Sequence, residues 1–333
     1  MKIFGKNLKK DILYIAEIGV NHEGNLKRCF KLIKDAKIAG ADVVKFQCFT
    51  PTKYISINEK KFKKISKFYF DKSQFNKIIK FCKKLKINYL FTPVSHDWLN
   101  FIRKNSKTVK IASGDLNFHY LLKKATKFNL NIFLSTGISD LEEIKAAVRI
   151  IKDKYRKKIK QKLVLMHCVS SYPVPDAFAN TMSVKFLKDK FNFVTGYSNH
   201  VIGINACLTS ICLGARVIEF HLTDNKKRKF RDHHLSLNKY DVKKLIHMGN
   251  NFNLLIGKYE KEIPRIVRAS KNILSKGIVA KKDLNKNHVL TIDDLDYARP
   301  AKYYHANQIK SLLKKKLKQK VKYGMLIKRS NLY

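Results

Sequence analysis

Short apolar, β-rich runs recur along the chain and alternate with longer stretches in which apolar residues return every three or four positions. The first pattern predicts strands and the second amphipathic helices. The strand candidates are residues 12–19, 42–49, 87–94, 109–113, 131–137, 163–171, 193–199 and 216–223. Residues 25–40 and 141–155 carry the helical spacing most clearly. Eight strands alternating with helices over about 250 residues is the period of a (β/α)8 TIM barrel. A doubly wound sheet is the competing architecture, but the glycine-rich turn that marks its phosphate site is missing.

The pattern changes after about residue 257, where "GKYEKEIPRIVRASKN" reads as a linker. Short β runs separated by turn residues follow. The expected organisation is a barrel over 1–258, a linker over 259–274, and a small β-rich domain over 275–333.

Strand side chains alternate between two faces. In "RVIEFHLT" (216–223), Ile218, Phe220 and Leu222 share one face, while Glu219, His221 and Thr223 share the other. In a barrel, function collects at the C-terminal ends of the strands. Each predicted strand end there is polar. The first gives Glu17, the second Lys45 and Gln47, the third Thr92, and the fourth Lys110 and Ser113, followed by Asp115. The later ends give Ser135 and Thr136, then Ser170 and Tyr172, then Ser198, Asn199 and His200, then Glu219 and His221. A lone strand-end serine is ordinarily a turn former, and a lone histidine is ordinarily packed. Lysine is almost never fully buried without a partner. Lys45 and Lys110, embedded in strands, therefore suit an anion such as a phosphate or carboxylate. His200 and His221 come from adjacent strands and suit a divalent transition metal together with carboxylate or substrate oxygens.

Composition changes this picture little. The 333 residues are 45% hydrophobic, enough for a large core. The formal net charge of +45 raises the question of nucleic acid or acidic membranes. Lysines are spread over every predicted helix face, and neither an RNP-like aromatic pattern nor zinc-finger spacing occurs, so nucleic-acid binding is not the expected function. The field can still attract anionic substrates. Six cysteines without a C-x-x-C pair read as reduced, packed thiols of a cytoplasmic protein. The basic-then-apolar N-terminus imitates a signal peptide, but Asp11 and Glu17 interrupt it. No run reaches membrane-spanning length, so a soluble protein is expected.

The motifs "AEIGVNHEGN", "AGADVVKFQ", "FTPVS", "KIASGDL", "LSTGIS", "HCVSSYPVP", "GYSNH" and "VIEFHLT" occur in order over nearly the whole chain. Together they resemble the sialic acid synthase (N-acetylneuraminate synthase) family, which includes the legionaminic and pseudaminic acid synthases. "GIVAKKDL…HVLTIDDLDYARP" resembles that family's antifreeze-like, or SAF, domain. The resemblance implies condensation of phosphoenolpyruvate with the open-chain aldehyde of an N-acetylated hexosamine, giving a nine-carbon 2-keto sugar acid and phosphate. It implies Mn2+ or Mg2+ on His200 and His221. Lys45, Thr92, Lys110, Ser113, Ser135 and Ser198 would hold phosphoenolpyruvate. Glu17, Gln47, Asp115, Tyr172, Glu219 and Asp232 would contact the sugar or move protons, with Glu219 as a candidate base. Arg299 in "YARP" matches an arginine that covers the sugar site of the other protomer, so a swapped homodimer is implied.

Three stretches depart from the family pattern. "KFRDHH" replaces a frequent Pro-Gly-Pro before the aspartate, "AKYYHAN" replaces glycine-rich sequence, and Asp115 stands where a longer Glu is common. All three point at the sugar, where Arg231 and His233 meet an altered substrate or simply add surface charge. The alternatives are a synthase of shorter 2-keto-3-deoxy sugar acids and a non-catalytic basic binding protein on the same fold.

Overall fold

Eight parallel strands, taken in chain order, close into a barrel: β1 (Leu13–Gly19), β2 (Val43–Cys48), β3 (Asn88–Pro93), β4 (Thr108–Ile111), β5 (Asn131–Ser135), β6 (Leu163–His167), β7 (Val194–Asn199) and β8 (Val217–His221). Strand β8 closes the ring on β1, with His221 level with Glu17. This computed structural model describes residues 1–230 and 232–333. By contacts the chain divides into two units, Met1–Gly257 and Lys258–Tyr333.

Alternation along each strand sorts side chains into two cores. Outward residues such as Tyr14, Ala16, Val44, Phe46, Ile218 and Phe220 pack under the helices. Inward residues at the lower barrel are apolar: Leu13, Ile15, Val43, Leu90, Phe133, Val164, Met166 and Val217. Ile3 and Leu8, from a short antiparallel hairpin (Lys2–Ile3 with Lys6–Asn7), pack into this inner cluster. The N-terminal residues are thus part of the fold. Each such aliphatic side chain contributes about 1.5–3 kcal/mol on leaving water.

The helices begin and end where local chemistry dictates. Leu26–Ala39 starts at Asn25, whose side chain accepts from the Arg28 amide, and stops at Gly40 with φ of 92°. Leu141–Tyr155 opens on a capping box between Asp140 and Glu143. The strand expected over 163–171 ends at His167, because Cys168–Ser171 leave the ladder and turn into the barrel mouth.

The second unit has its own core, including Ile278, Leu284, Leu290, Leu312, Leu317 and Ile327, around antiparallel strands Gly277–Ala280 and Leu295–Ala298. The stretch read as a linker contains two one-turn helices, Arg265–Arg268 and Lys271–Leu274. Among the described residues, no helix is long and apolar enough to cross a membrane.

Candidate active site

Above the apolar inner layer, the inward positions become ionic. Pairing of β1 with β2 sets Glu17 level with Lys45, and β8 brings Glu219 to the same height. The Lys45 ammonium lies 3.0 Å from Glu17 Oε2 and 3.0 Å from Glu219 Oε1. It also donates to Thr92 Oγ1 at 3.2 Å. Lys110 reaches Glu219 Oε1 at 3.4 Å, and Ser198 donates to that oxygen at 3.0 Å. Gln47 donates to Glu17 Oε1. Gly19 is required here: its φ is 51°, and a Cβ on it would lie 2.8 Å from Glu17 Oε1.

All four charged groups are buried. Two ammoniums face two carboxylates, so the inner site is balanced. The expected lysine pair is present, but Glu17 and Glu219 already partner it. Burial pushes the Glu219 carboxyl up, but Lys110 and Lys45 override it and hold the group well below the usual carboxylate range. Burial also pulls the Lys45 ammonium down, and Glu17 and Glu219 more than reverse that. For Lys110, burial together with the Lys45 charge outweighs Glu219, so its pKa falls. Glu219 Oε2 is buried without any hydrogen-bond partner, while its other oxygen takes three.

His200 and His221 stand above this layer with ring centroids 5.4 Å apart. His200 Nδ1 bonds the Val169 carbonyl at 2.6 Å, which fixes that nitrogen as the donor and leaves the Nε2 lone pair free. Burial, reinforced by His221, lowers the His200 pKa to about 3, so the ring is neutral near pH 7. His221 Nδ1 is buried without a hydrogen bond, 3.7 Å from Asp232 Oδ2. Among the described residues, no cluster of three His, Cys, Asp or Glu side chains is set to hold an ion unaided. Two imidazoles, one with an orphaned nitrogen, do fit a divalent ion that completes its shell with water or substrate oxygens.

These groups line one open cavity of about 570 Å³ at the barrel mouth. Thr92, Ser113, Ser135 and Ser198 face it, as do Asp115, Tyr172 and Asp232. Burial raises the Asp115 carboxyl to about 6. Burial also raises the Tyr172 phenol, whose ring lies 4.2 Å from His200. Arg299 is in the second unit, solvent-exposed.

Several cavity residues were not anticipated. Val20, Val94, Phe118 and Ile138 reach it from loops and Lys53 and Tyr54 from the one-turn helix Pro51–Tyr54, for which strand alternation gives no signal. Cys168, read as a packed thiol, lines it too, beside Ser170. All six cysteines are free, and Cys212 is exposed rather than packed. His233 is neither surface charge nor turned to a sugar. It is fully buried, bonded through Nδ1 to Thr223 Oγ1 at 2.6 Å and through Nε2 to Glu23 Oε1 at 3.1 Å. It thereby ties the loop that carries Asp232 to the "NHEGN" loop. Arg231 lies outside the described residues.

A closed parallel barrel with opposed charges at its strand ends and two imidazoles above them defines a TIM-barrel enzyme. The NeuB family model matches residues 32–261. An N,N'-diacetyllegionaminic acid synthase of Campylobacter jejuni is 34% identical over 321 residues, covering 92% of this chain and 96% of that protein. An N-acetylneuraminate-9-phosphate synthase of Drosophila melanogaster is 32% identical, covering 88% of each chain. The crystal structure of an N-acetylneuraminic acid (sialic acid) synthetase from Leptospira borgpetersenii in complex with citrate superposes with a TM-score of 0.74 at 30% identity, covering 78% of this chain and 90% of that one. The chain belongs to the NeuB family and is an enzyme of the sialic acid synthase class.

Proposed function

We propose that this enzyme joins phosphoenolpyruvate to the open-chain aldehyde of an N-acetylated hexosamine, N-acetylmannosamine or a diacetamido-trideoxyhexose. The products are a nine-carbon 2-keto sugar acid and phosphate. The observation that carries the reading is the buried Glu17–Lys45–Glu219–Lys110 chain at the strand ends, inside a cavity open to solvent. Buried ammoniums are expensive unless used.

Phosphoenolpyruvate presents a carboxylate and a phosphate. Lys45, Lys110 and the hydroxyls of Thr92, Ser113, Ser135 and Ser198 are the donors available to them. Ser135 Oγ is buried without a partner, and so is ready for one. In the reaction the methylene carbon bonds to the aldehyde carbon, the aldehyde oxygen gains a proton, water adds to the enol carbon, and phosphate departs. Glu219 stays ionised near neutrality, and its unpartnered Oε2 is placed to take the proton of that water. Asp115, raised to about 6, exchanges protons readily near neutrality. Glu17, Gln47, Tyr172 and Asp232 complete the wall against which the acceptor is oriented. Mn2+ or Mg2+ held by His200 and His221 would supply a Lewis acid for the aldehyde oxygen.

The same reading makes the second unit an antifreeze-like domain and the enzyme a homodimer in which one protomer lends Arg299 to the sugar site of the other. Six unpaired cysteines support a cytoplasmic setting. The test is phosphate release from phosphoenolpyruvate by EDTA-treated protein, with Mn2+ restored and each sugar offered separately. Release that needs both metal and an acetylated hexose supports the reading. Release only with arabinose 5-phosphate would convert it to a synthase of shorter acids, and no release with any sugar would end it.

A further inference from the structure

Beside the lysines, strands β5 and β6 end in a tight cluster that the chemistry above leaves partly unused. The Gly137 amide donates to Ser113 Oγ at 3.0 Å. Cys168 Sγ lies 3.0 Å from the same oxygen, with either atom able to donate. A Cβ on Gly137 would fall 2.6 Å from Cys168 Sγ, 2.8 Å from Ser170 Oγ and 2.9 Å from Ser113 Oγ. Only glycine lets the three side chains converge here. Ser135, at the end of β5, has an unpartnered buried hydroxyl and lines the same cavity. Lys110 lines it as well. Together these groups form a pocket of donors with one hydroxyl still unfilled.

A serine hydroxyl has one proton to give and two lone pairs to receive. Gly137 fills one lone pair. If Ser113 gives its proton to the sulfur, only a lone pair is left, and the hydroxyl has no proton to offer an anion. If the thiol gives its proton to Ser113, both lone pairs are filled and the hydroxyl proton is released toward the cavity. We propose that Cys168 is a positioning residue of an anion cradle: its thiol donates to Ser113 Oγ and so turns the Ser113 proton toward a bound phosphate group. Chemical capping of that sulfur therefore closes the cradle, because the packed Gly137 side has no room for an added group. The identity of the anion as phosphoenolpyruvate rests on the proposed function; the cradle itself does not.

Two measurements test this. Cys168→Ala removes the donor, whereas Cys168→Ser keeps one. Cys168→Ala should raise the KM for phosphoenolpyruvate about tenfold, with kcat changed less than about threefold, and Cys168→Ser should recover most of the loss. In the unaltered enzyme, methyl methanethiosulfonate should label Cys168. The thiolate attacks the methylthio sulfur, its proton goes to solvent, and methanesulfinate leaves with the electron pair. Peptide mass mapping should show that inorganic phosphate slows this labelling at least about fivefold while leaving exposed Cys212 unaffected. An unchanged KM in Cys168→Ala, a Cys168→Ser variant as impaired as Cys168→Ala, or labelling indifferent to phosphate would overturn the proposal. Should no sugar support turnover, the phosphoenolpyruvate reading falls, and phosphate protection still decides whether the cradle exists.

Discussion

Replacing Lys45 with methionine tests what holds the barrel mouth together. The side chain is 4% exposed and touches two carboxylates, each at 3.0 Å. At an effective dielectric constant of about 20, each contact is worth about 5–6 kcal/mol before desolvation. Methionine restores most of the volume, so packing changes little. The loss is then electrostatic: Glu17 and Glu219 are left buried, with Lys110, 3.4 Å from Glu219, as the remaining ammonium in ion-pair reach among the described residues. Removing one partner of a buried ion pair costs about 3–5 kcal/mol. With an m-value of about 3 kcal/mol/M, the urea midpoint falls by about 1–1.7 M. Trp98, the single tryptophan, is buried in the first unit, so its fluorescence reports that unit alone. Adding Glu17→Gln should return part of the loss, because it removes the stranded charge. A Lys45→Met protein within about 1 kcal/mol of wild type, or a double variant less stable than the single one, would refute this account.

Three further outcomes are expected. His221→Ala should weaken Mn2+ binding, followed by electron paramagnetic resonance, by at least ~100-fold and abolish turnover with unchanged circular dichroism; wild-type binding would remove His221 from the metal site. His233→Ala should lower the Trp98-monitored midpoint by about 1–3 kcal/mol and raise the KM for the acceptor sugar, since Glu23 and Thr223 lose their shared partner; an unaltered sugar KM would separate His233 from the placement of Asp232. In the second unit, Asp294 accepts from Lys282, His288 and Thr291, and those bonds hold its carboxyl below the usual range despite burial. A depressed carboxyl adds stability that is full above about pH 4 and is lost as pH falls through the folded value. Asp294→Asn should therefore flatten the acid limb of that unit's calorimetric transition, and an identical limb would count against it.

Most of the architecture was legible because strands buried on both faces read as short apolar runs, distinct from the three-to-four spacing of the helices between them. Glu219 and His221 could be assigned to one face of β8 without any coordinates, as could Lys45 and Gln47 on β2. What alternation cannot supply is register between strands far apart in the chain. Glu17 meets Lys45 across 28 positions, and Lys110 meets Glu219 across 109. The lysines were therefore read as open to a ligand when carboxylates already hold them. Cys168 was missed for a related reason. A cysteine inside an apolar run looks the same whether it packs or lines a cavity, and its place was decided by Gly137 in the turn that follows β5. His233 looked like surface charge because its partners, Glu23 and Thr223, come from loops whose approach no local pattern encodes.

The hairpin that sends Ile3 and Leu8 into the foot of the barrel thickens the apolar layer that lies beneath its charged mouth. The cavity that gives solvent access to Glu17, Lys45, Lys110 and Glu219 opens above them, and apolar side chains pack below. The field of those groups is therefore attenuated on the side where a substrate arrives and hardly at all on the side where none can. A chain begun at residue 10 would keep every strand and every residue of the mouth. It would also have lost part of its apolar floor, leaving less low-dielectric packing beneath the charges that the rest of the fold is arranged to keep sharp.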